Sequence, residues 1–225
     1  MGGKMFFDAH VHSLCNESGG FIVGLMGAPY FDGTLDNESV LKLHNPDKNY
    51  FAFYYVACDE INKIVNHKYV KIHPRREKYS PDAVINFISL NQPKCVMIDT
   101  LNEPYWSPND YWHIAMTFPD ITFIFPHSGG YLINDFIKIC HFQKNVWIDF
   151  ALTHTNLGKF GDTENGLNYI NDAIKYALNS PFKNRVLMSS DYPFFSQEDV
   201  VNYYTKLRKL DLLNDNFINL IKVIK

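Results

Sequence analysis

The sequence predicts an α/β protein built as a compact (β/α)8 TIM-like barrel, and three observations predict it. Short apolar runs alternate with helix-period segments along all 225 residues, the pattern of repeated βα units around a parallel sheet. Eight such runs are found, and several end in His, Asp or Lys, at the strand ends where a barrel gathers its chemistry. A doubly wound sheet shares the alternation but normally carries a glycine-rich turn after its first strand. Here that turn reads His10-Val11-His12-Ser13, which suits a metal ion and not a pyrophosphate.

Taken in order, the first strand is expected near residues 5 to 10 and the second near 21 to 26. Residues 13 to 20 between them are too few for a crossover helix, which with its loops takes about 10 to 12 residues. Either the first βα unit is truncated or the second strand is misplaced. A helix over Asn37 to Leu43 leads to a third strand near 51 to 57, and one over Glu60 to Asn66 to a fourth near 69 to 73. Pro81 then opens a helix running to Leu90, where its missing amide hydrogen costs nothing in the first turn and Ser80 can cap the end. Strands near 95 to 99, 121 to 126 and 145 to 150 alternate with helices over Asn109 to Phe118, Leu132 to His141 and Leu167 to Leu178. An eighth strand near 185 to 190 is followed by two helices, Gln197 to Lys209 and Asn214 to Ile224. A closed barrel takes typically about 250 residues, so this one has no large inserted cap. No repeat, low-complexity tract or linker divides the chain, and residues 1–225 are expected to form a single domain.

Composition narrows the function classes. A 46% hydrophobic content supplies one large core, and the formal net charge of -3 arises from interspersed charges without a basic stripe, which argues against nucleic acid as a partner. The start of the chain has neither the flanks of a signal peptide nor the length of a membrane span, so the expectation is a soluble cytoplasmic protein with no membrane partner. Cys15, Cys58, Cys95 and Cys140 are far apart with no CxxC pair; they read as buried, reduced thiols, although a disulfide stays open. The 14 Tyr and 18 Phe exceed a minimal core; most would pack inside, and the surplus is compatible with a pocket lining or a homodimer interface.

Side chains alternate along a strand, so His10 and His12 should share one face while Ala9 and Val11 take the other, and two imidazoles can then chelate one ion. An HxH pair alone also arises as two satisfied histidines. Here other strand ends repeat the pattern: Lys71-Ile72-His73-Pro74, Ile98-Asp99-Thr100, Phe125-Pro126-His127-Ser128-Gly129-Gly130, Ile148-Asp149-Phe150 and Ser190-Asp191-Tyr192-Pro193. Polar groups at the ends of buried strands must each find a partner or water, so packing does not explain them. Backbone amides of the turn after His127 are placed to bind a carboxylate or oxyanion; the alternative is that the two glycines serve only the tight strand-to-helix turn. Glu103, Asp149 and His154 also fall just past strand ends, whereas His44, His67, His113 and His141 fall on helices or their ends as ordinary surface or packing residues.

The opening DAHVH, the KIHP, the FPHSGG and the SSDYPF, in that order across nearly the whole chain, resemble the amidohydrolase superfamily, specifically its amidohydrolase-related branch of TIM-barrel hydrolases and decarboxylases. The combination is specific where each piece alone is not. The resemblance implies that His10, His12 and Asp191 bind a divalent metal, most often zinc, and that His127 assists catalysis as acid, base or carbonyl polariser. One position departs: the branch usually has a further metal-binding histidine at the end of the fifth strand, where this chain has Asp99. A carboxylate either keeps the site while admitting manganese beside zinc, or marks a site that has lost its metal. Lys71 and His73 share a strand face and, with His154, are expected to contact a small-molecule substrate.

The expected function is that of a metal-dependent hydrolase acting on a lactone, amide or ester through a metal-bound hydroxide. Asp191 would orient the water and take its proton, and His127 would stabilise the oxyanion or protonate the leaving group. A nonoxidative decarboxylase or hydratase of an unsaturated or aromatic acid would use the same site. A metal-free or degenerate barrel that binds a ligand or partner is the alternative of another class, with Asp99 in its favour and the joint presence of His10, His12, His127 and Asp191 against it.

Overall fold

In the computed structural model, residues 6–13, 20–24, 35–101, 105–151 and 164–225 are described, with 20–24 and 164–167 given by backbone alone. Eight parallel strands pair in sequential order: β1 (Phe7–Val11), β2 (Gly20–Gly24), β3 (Tyr50–Tyr55), β4 (Tyr69–Ile72), β5 (Cys95–Ile98), β6 (Thr122–Phe125), β7 (Val146–Asp149) and β8 (Val186–Leu187). The sheet closes on itself beyond β8. Ala9 N donates to Met188 O (2.9 Å), Asp191 N to His10 O (2.9 Å) and His12 N to Tyr192 O (2.7 Å), which carries parallel pairing to β1 as far as Tyr192. The fold is the expected (β/α)8 barrel, and β2 lies where it was expected, so the short connection over residues 12–19 is real.

Helices α1 (Asn37–Lys42), α2 (Pro74–Glu77), α3 (Pro81–Asn91), α4 (Pro108–Thr117), α5 (Ile133–Phe142), α6 (Glu164–Ala177), α7 (Gln197–Lys206) and α8 (Leu210–Ile224) accompany the strands. Ser80 caps α3 as its position predicts, accepting from Ala83 N at 3.1 Å, with Pro81 in the first turn. The helix expected over Glu60 to Asn66 is absent; a 3-10 turn, Cys58–Glu60, stands there instead. Ile61 is buried but Ile64 is 72% exposed, so the segment has no continuous apolar face to hold a helix against the barrel. α2 is a single turn that the sequence did not announce, because His73-Pro74 reads as a strand end.

Alternation along the strands divides the core into two layers. Val70, Ile72, Val96, Ile98, Phe123, Phe125, Val146 and Ile148 face outward and pack beneath the helices. Phe51, Phe53, Cys95, Met97, Ile124, Trp147 and Leu187 fill the barrel interior together with Phe217, Leu220, Ile221 and Ile224 of α8. This last helix is a plug over the amino-terminal end of the barrel: Asn214 Oδ1 accepts from Phe7 N (3.1 Å), Tyr69 OH donates to Ile224 O (3.0 Å), and Asn216 Nδ2 donates to Lys183 O and Val186 O (2.7 Å each). With the lower end closed by apolar packing, polar residues collect at the other end. β1 departs from simple alternation. Its pairing with β2 shifts between Asp8 and Val11, and while Val11 packs outward against Val40, Ala52 and Tyr55, Ala9 packs with the interior residues. Ala9 thus lies on the side where it was not expected.

Cys95 and Cys140 are buried, but Cys58 is exposed, which corrects its expected burial; Cys15 lies outside the described residues. Among the described residues no helix is long and apolar enough to cross a membrane.

The plug is testable. Phe217 is 1% exposed and stacks on Phe7 with ring centroids 5.0 Å apart, so Phe217→Ala should cost about 3–5 kcal/mol. Val223→Ala on the exposed side of the same helix should stay within about 0.5 kcal/mol. Denaturant unfolding of the two variants checks the difference.

Candidate active site at the carboxyl ends of the strands

Eight ionisable side chains converge at the upper mouth: His10 and His12 from β1 and just past it, Lys71 and His73 from β4, Asp99 after β5, His127 after β6, Asp149 at the end of β7 and Asp191 after β8. None is more than 4% exposed. His12 Nε2 lies 3.0 Å from Asp191 Oδ1 and His10 Nε2 lies 3.5 Å from the same oxygen. Together these three residues form a group whose donor atoms could hold one ion, as could His10, His127 and Asp149. Lys71 Nζ stands 2.6 Å from His10 Nε2.

Asp99 falls in a different cluster. Its Oδ2 is 3.1 Å from His127 Nε2 and 3.6 Å from His73 Nε2, and its Oδ1 accepts from Leu101 N (3.2 Å). His127 is fixed on its other side, where Nδ1 meets Ala151 O at 2.9 Å. Its ring lies 5.2 Å from that of His10, which connects the two clusters.

The turn that carries His127 is held by its own sequence. His127, Ser128, Gly129 and Gly130 have φ values of 66°, 45°, 73° and 56° in succession, a left-handed run that glycine tolerates best. A Cβ on Gly129 would also come within 2.2 Å of the Phe136 ring. Asp149 Oδ1 accepts from His127 N (3.0 Å) and Ala151 N (2.9 Å), Thr100 Oγ1 accepts from Gly129 N (2.9 Å), and the Ser128 hydroxyl donates to Asp149 O. One of the amides expected to serve an oxyanion, that of Gly129, is therefore already spent inside the protein, as is that of His127 itself.

Burial and charge set the protonation states. Burial raises the Asp99 carboxyl, but the charges of His73 and His127 and the hydrogen bond from His127 outweigh it and hold Asp99 well below the carboxylate range. For His127, burial lowers the pKa, yet the Asp99 hydrogen bond and the Asp99, Asp191 and Asp149 charges carry it up to about 9. At neutral pH the two are an imidazolium and a carboxylate. His73 is pushed down to about 4 and His10 well below its ordinary value, both chiefly by burial, so both rings are neutral. Burial takes Lys71 down to about 8 against the pull of Asp191, Asp99 and Asp149. Asp191 is held low despite burial by the hydrogen bond and charge of His12, then by His127 and Lys71, whereas burial raises Asp149.

Of the residues expected from sequence, His10, His12 and Asp191 come together, and His127 is beside them. Asp99, expected as a fourth ligand, sits with His127 and His73 and, among the described residues, is in neither group that could hold an ion. Lys71 rests on His10. His154 and Glu103 lie outside the described residues. Sequence reasoning missed Asp8 and Thr100. Asp8 is buried and accepts from Ser190 N (3.0 Å), Ser190 Oγ (2.6 Å), Gln197 Nε2 (2.6 Å) and His10 N (3.3 Å), so it pins β1 to β8; burial raises its pKa to about 6. The signal was present in the opening DAHVH, read for its histidines only.

A closed parallel barrel whose upper mouth holds paired imidazoles and carboxylates belongs to the TIM-barrel class of enzymes. The amidohydrolase family model matches residues 72–217, well over half of the chain, and the chain belongs to that family. The matched span includes His73, Asp99, His127, Asp149 and Asp191 and begins after the HxH pair. An uncharacterized TIM-barrel protein from Bordetella bronchiseptica superimposes with a TM-score of 0.62 at 13% identity, covering 92% of this chain and 79% of that one. No curated protein matches the chain. Membership brings activity of the metal-dependent hydrolase or decarboxylase type and a family habit of binding a divalent metal, for which the His and Asp groups described above offer donors.

The Asp99–His127 pair makes a measurable statement about pH. In metal-free protein its stabilisation is present above the unfolded carboxylate value of 3.8, complete up to the unfolded imidazole value of 6.5, and lost as the pH rises through about 9. His127 should titrate near 9 by NMR, and Asp99→Asn should bring it down by removing the charge that holds the proton. An unshifted His127 in wild type counts against the ion pair.

Proposed function

We propose that the chain is a metal-dependent hydrolase of small carbonyl substrates, a lactone, amide or ester. The observation that carries this reading is the convergence of His10 Nε2 and His12 Nε2 on Asp191 Oδ1, with a protonated His127 beside them. Two imidazole nitrogens and a carboxylate oxygen, all buried, are a donor set of the kind that holds catalytic zinc with a position left for substrate or water, and manganese also accepts it. Such an ion, when bound, lowers the pKa of water and polarises a carbonyl.

The chain's own residues supply the rest. Asp191, held ionised, can accept a proton from the attacking water. His127, held as imidazolium by Asp99, can stabilise a developing oxyanion or give its proton to the leaving group. Asp99 then works through His127 and not as a ligand. His73, neutral and with Nδ1 lacking a hydrogen-bond partner, is suited to a substrate contact.

One observation favours a second reading. Lys71 Nζ already contacts His10 Nε2 from a fully buried position, so a metal-free barrel could use the lysine as its cation. Elemental analysis of protein purified without added metal or chelator separates the two. On the first reading wild type carries about one equivalent of zinc or manganese, lost in His12→Ala and kept in Asp99→Ala. Wild type that stays empty after dialysis against both ions overturns it. Assay of the loaded protein on lactones and esters, with CO2 release followed in parallel, distinguishes hydrolysis from decarboxylation.

A further inference from the structure

His10 Nδ1 and Asp149 Oδ2 face one another across 4.0 Å, both completely buried and neither with a hydrogen-bond partner. Two such atoms are costly in a site this buried, since a buried polar atom without a partner forfeits its hydrogen bond. They are also complementary. A neutral imidazole carries one proton, and if that proton is on Nδ1, Oδ2 is the acceptor that it meets. Closing the gap to hydrogen-bond length takes a movement of roughly 1 Å by the His10 ring. Ser189 Oγ, also without a partner, approaches the same carboxylate and can share it, since one oxygen accepts more than one bond.

The rest of the surroundings leaves Asp149 little freedom. Its Oδ1 is held by His127 N and Ala151 N, so Oδ2 is fixed in direction by the turn itself. On the opposite edge of the ring, His10 Nε2 faces Lys71 Nζ at 2.6 Å and Asp191 Oδ1 at 3.5 Å. A lysine amine that donates there needs a lone pair on Nε2, and so does a metal ion. Both demands require the same tautomer, with hydrogen on Nδ1.

We infer that Asp149 is a positioning residue that holds His10 in its Nδ1–H tautomer and so presents the Nε2 lone pair to the ion-binding group formed with His12 and Asp191. One carboxylate thereby sets two histidines: His10 through Oδ2, and His127 through the amides bound to Oδ1 and through Ala151, whose carbonyl meets His127 Nδ1. The tautomer is a property of the metal-free protein, while its consequence for metal affinity rests on the proposed metal site.

The test uses protein labelled with 15N-histidine and stripped of metal, with His10 assigned by the loss of its signals in His10→Gln. Long-range 1H–15N correlations in wild type should show His10 protonated on Nδ1; protonation on Nε2 overturns the proposal without any further variant. Asp149→Asn keeps an oxygen for the His127 and Ala151 amides but turns an NH2 group toward His10, so the His10 proton should move to Nε2. Zinc affinity, read by competition with a chromophoric chelator, should fall about 10–100-fold. An unchanged tautomer in Asp149→Asn overturns the inference, as do two equivalents of metal in wild type that drop to one in the variant, since Asp149 would then be a ligand. If wild type binds no metal, the hydrolase reading fails while the tautomer measurement still decides this one.

Discussion

Charge matching in a dry barrel mouth is the constraint on which the site depends. Removing a carboxylate or an ammonium from water costs several kcal/mol unless partners replace the solvent. Asp99, Asp149 and Asp191 are buried beside Lys71 and four histidines, and their arrangement is a set of solutions to that one requirement. Asp99 is matched by the His127 proton, and Asp191 by His12 and Lys71. Asp149 is answered by two backbone amides and otherwise raised in pKa by its burial. Removing one partner does not delete one contact; it leaves the other charge buried and unmatched.

That matching holds only if backbone geometry is set to a fraction of an ångström, and the fold provides this from below and from the side. α8 plugs the lower end of the barrel with Phe217, Leu220, Ile221 and Ile224, so the strands are anchored before they reach the polar layer. Asp8 accepts three hydrogen bonds, two from Ser190 and one from Gln197, that join β1 to the chain after β8, and a fourth from His10 N within β1, which fixes His10 and His12 against Asp191. The left-handed turn at His127 to Gly130 is held by Thr100 and Asp149, on the two neighbouring strand ends. Site and scaffold are thus linked by the same few polar residues.

Much of this was legible in the sequence because strand periodicity and strand-end chemistry are local. All eight strands were located within a few residues, since a buried parallel strand is a short apolar run and needs no distant information. His10, His12, His127 and Asp191 could be expected at one end of the barrel for the same reason: each ends such a run. What could not be read was partnership. Asp99 looks the same in sequence whether it faces a metal or an imidazole, and only the folded barrel brings it to His127 and His73. The bulge that turns Ala9 inward depends on pairing with β2, which no property of Ala9 announces. The helix expected at Glu60 to Asn66 failed because its apolar residues do not share a face with anything to cover them.

Asp99 is also where this chain differs from the pattern its motifs resemble, and the structure gives the difference a physical meaning. A histidine at that strand end would offer a neutral donor to an ion and would do nothing to keep a proton on His127. A carboxylate 3.1 Å from His127 Nε2 does the reverse: it gives up a soft nitrogen donor and converts the neighbouring imidazole into a cation that persists to a pH of about 9. Burial strengthens the attraction within the pair while imposing on both partners the cost of leaving water. The carboxylate at this position therefore goes with a fixed cation, the His127 imidazolium, beside the group formed by His10, His12 and Asp191.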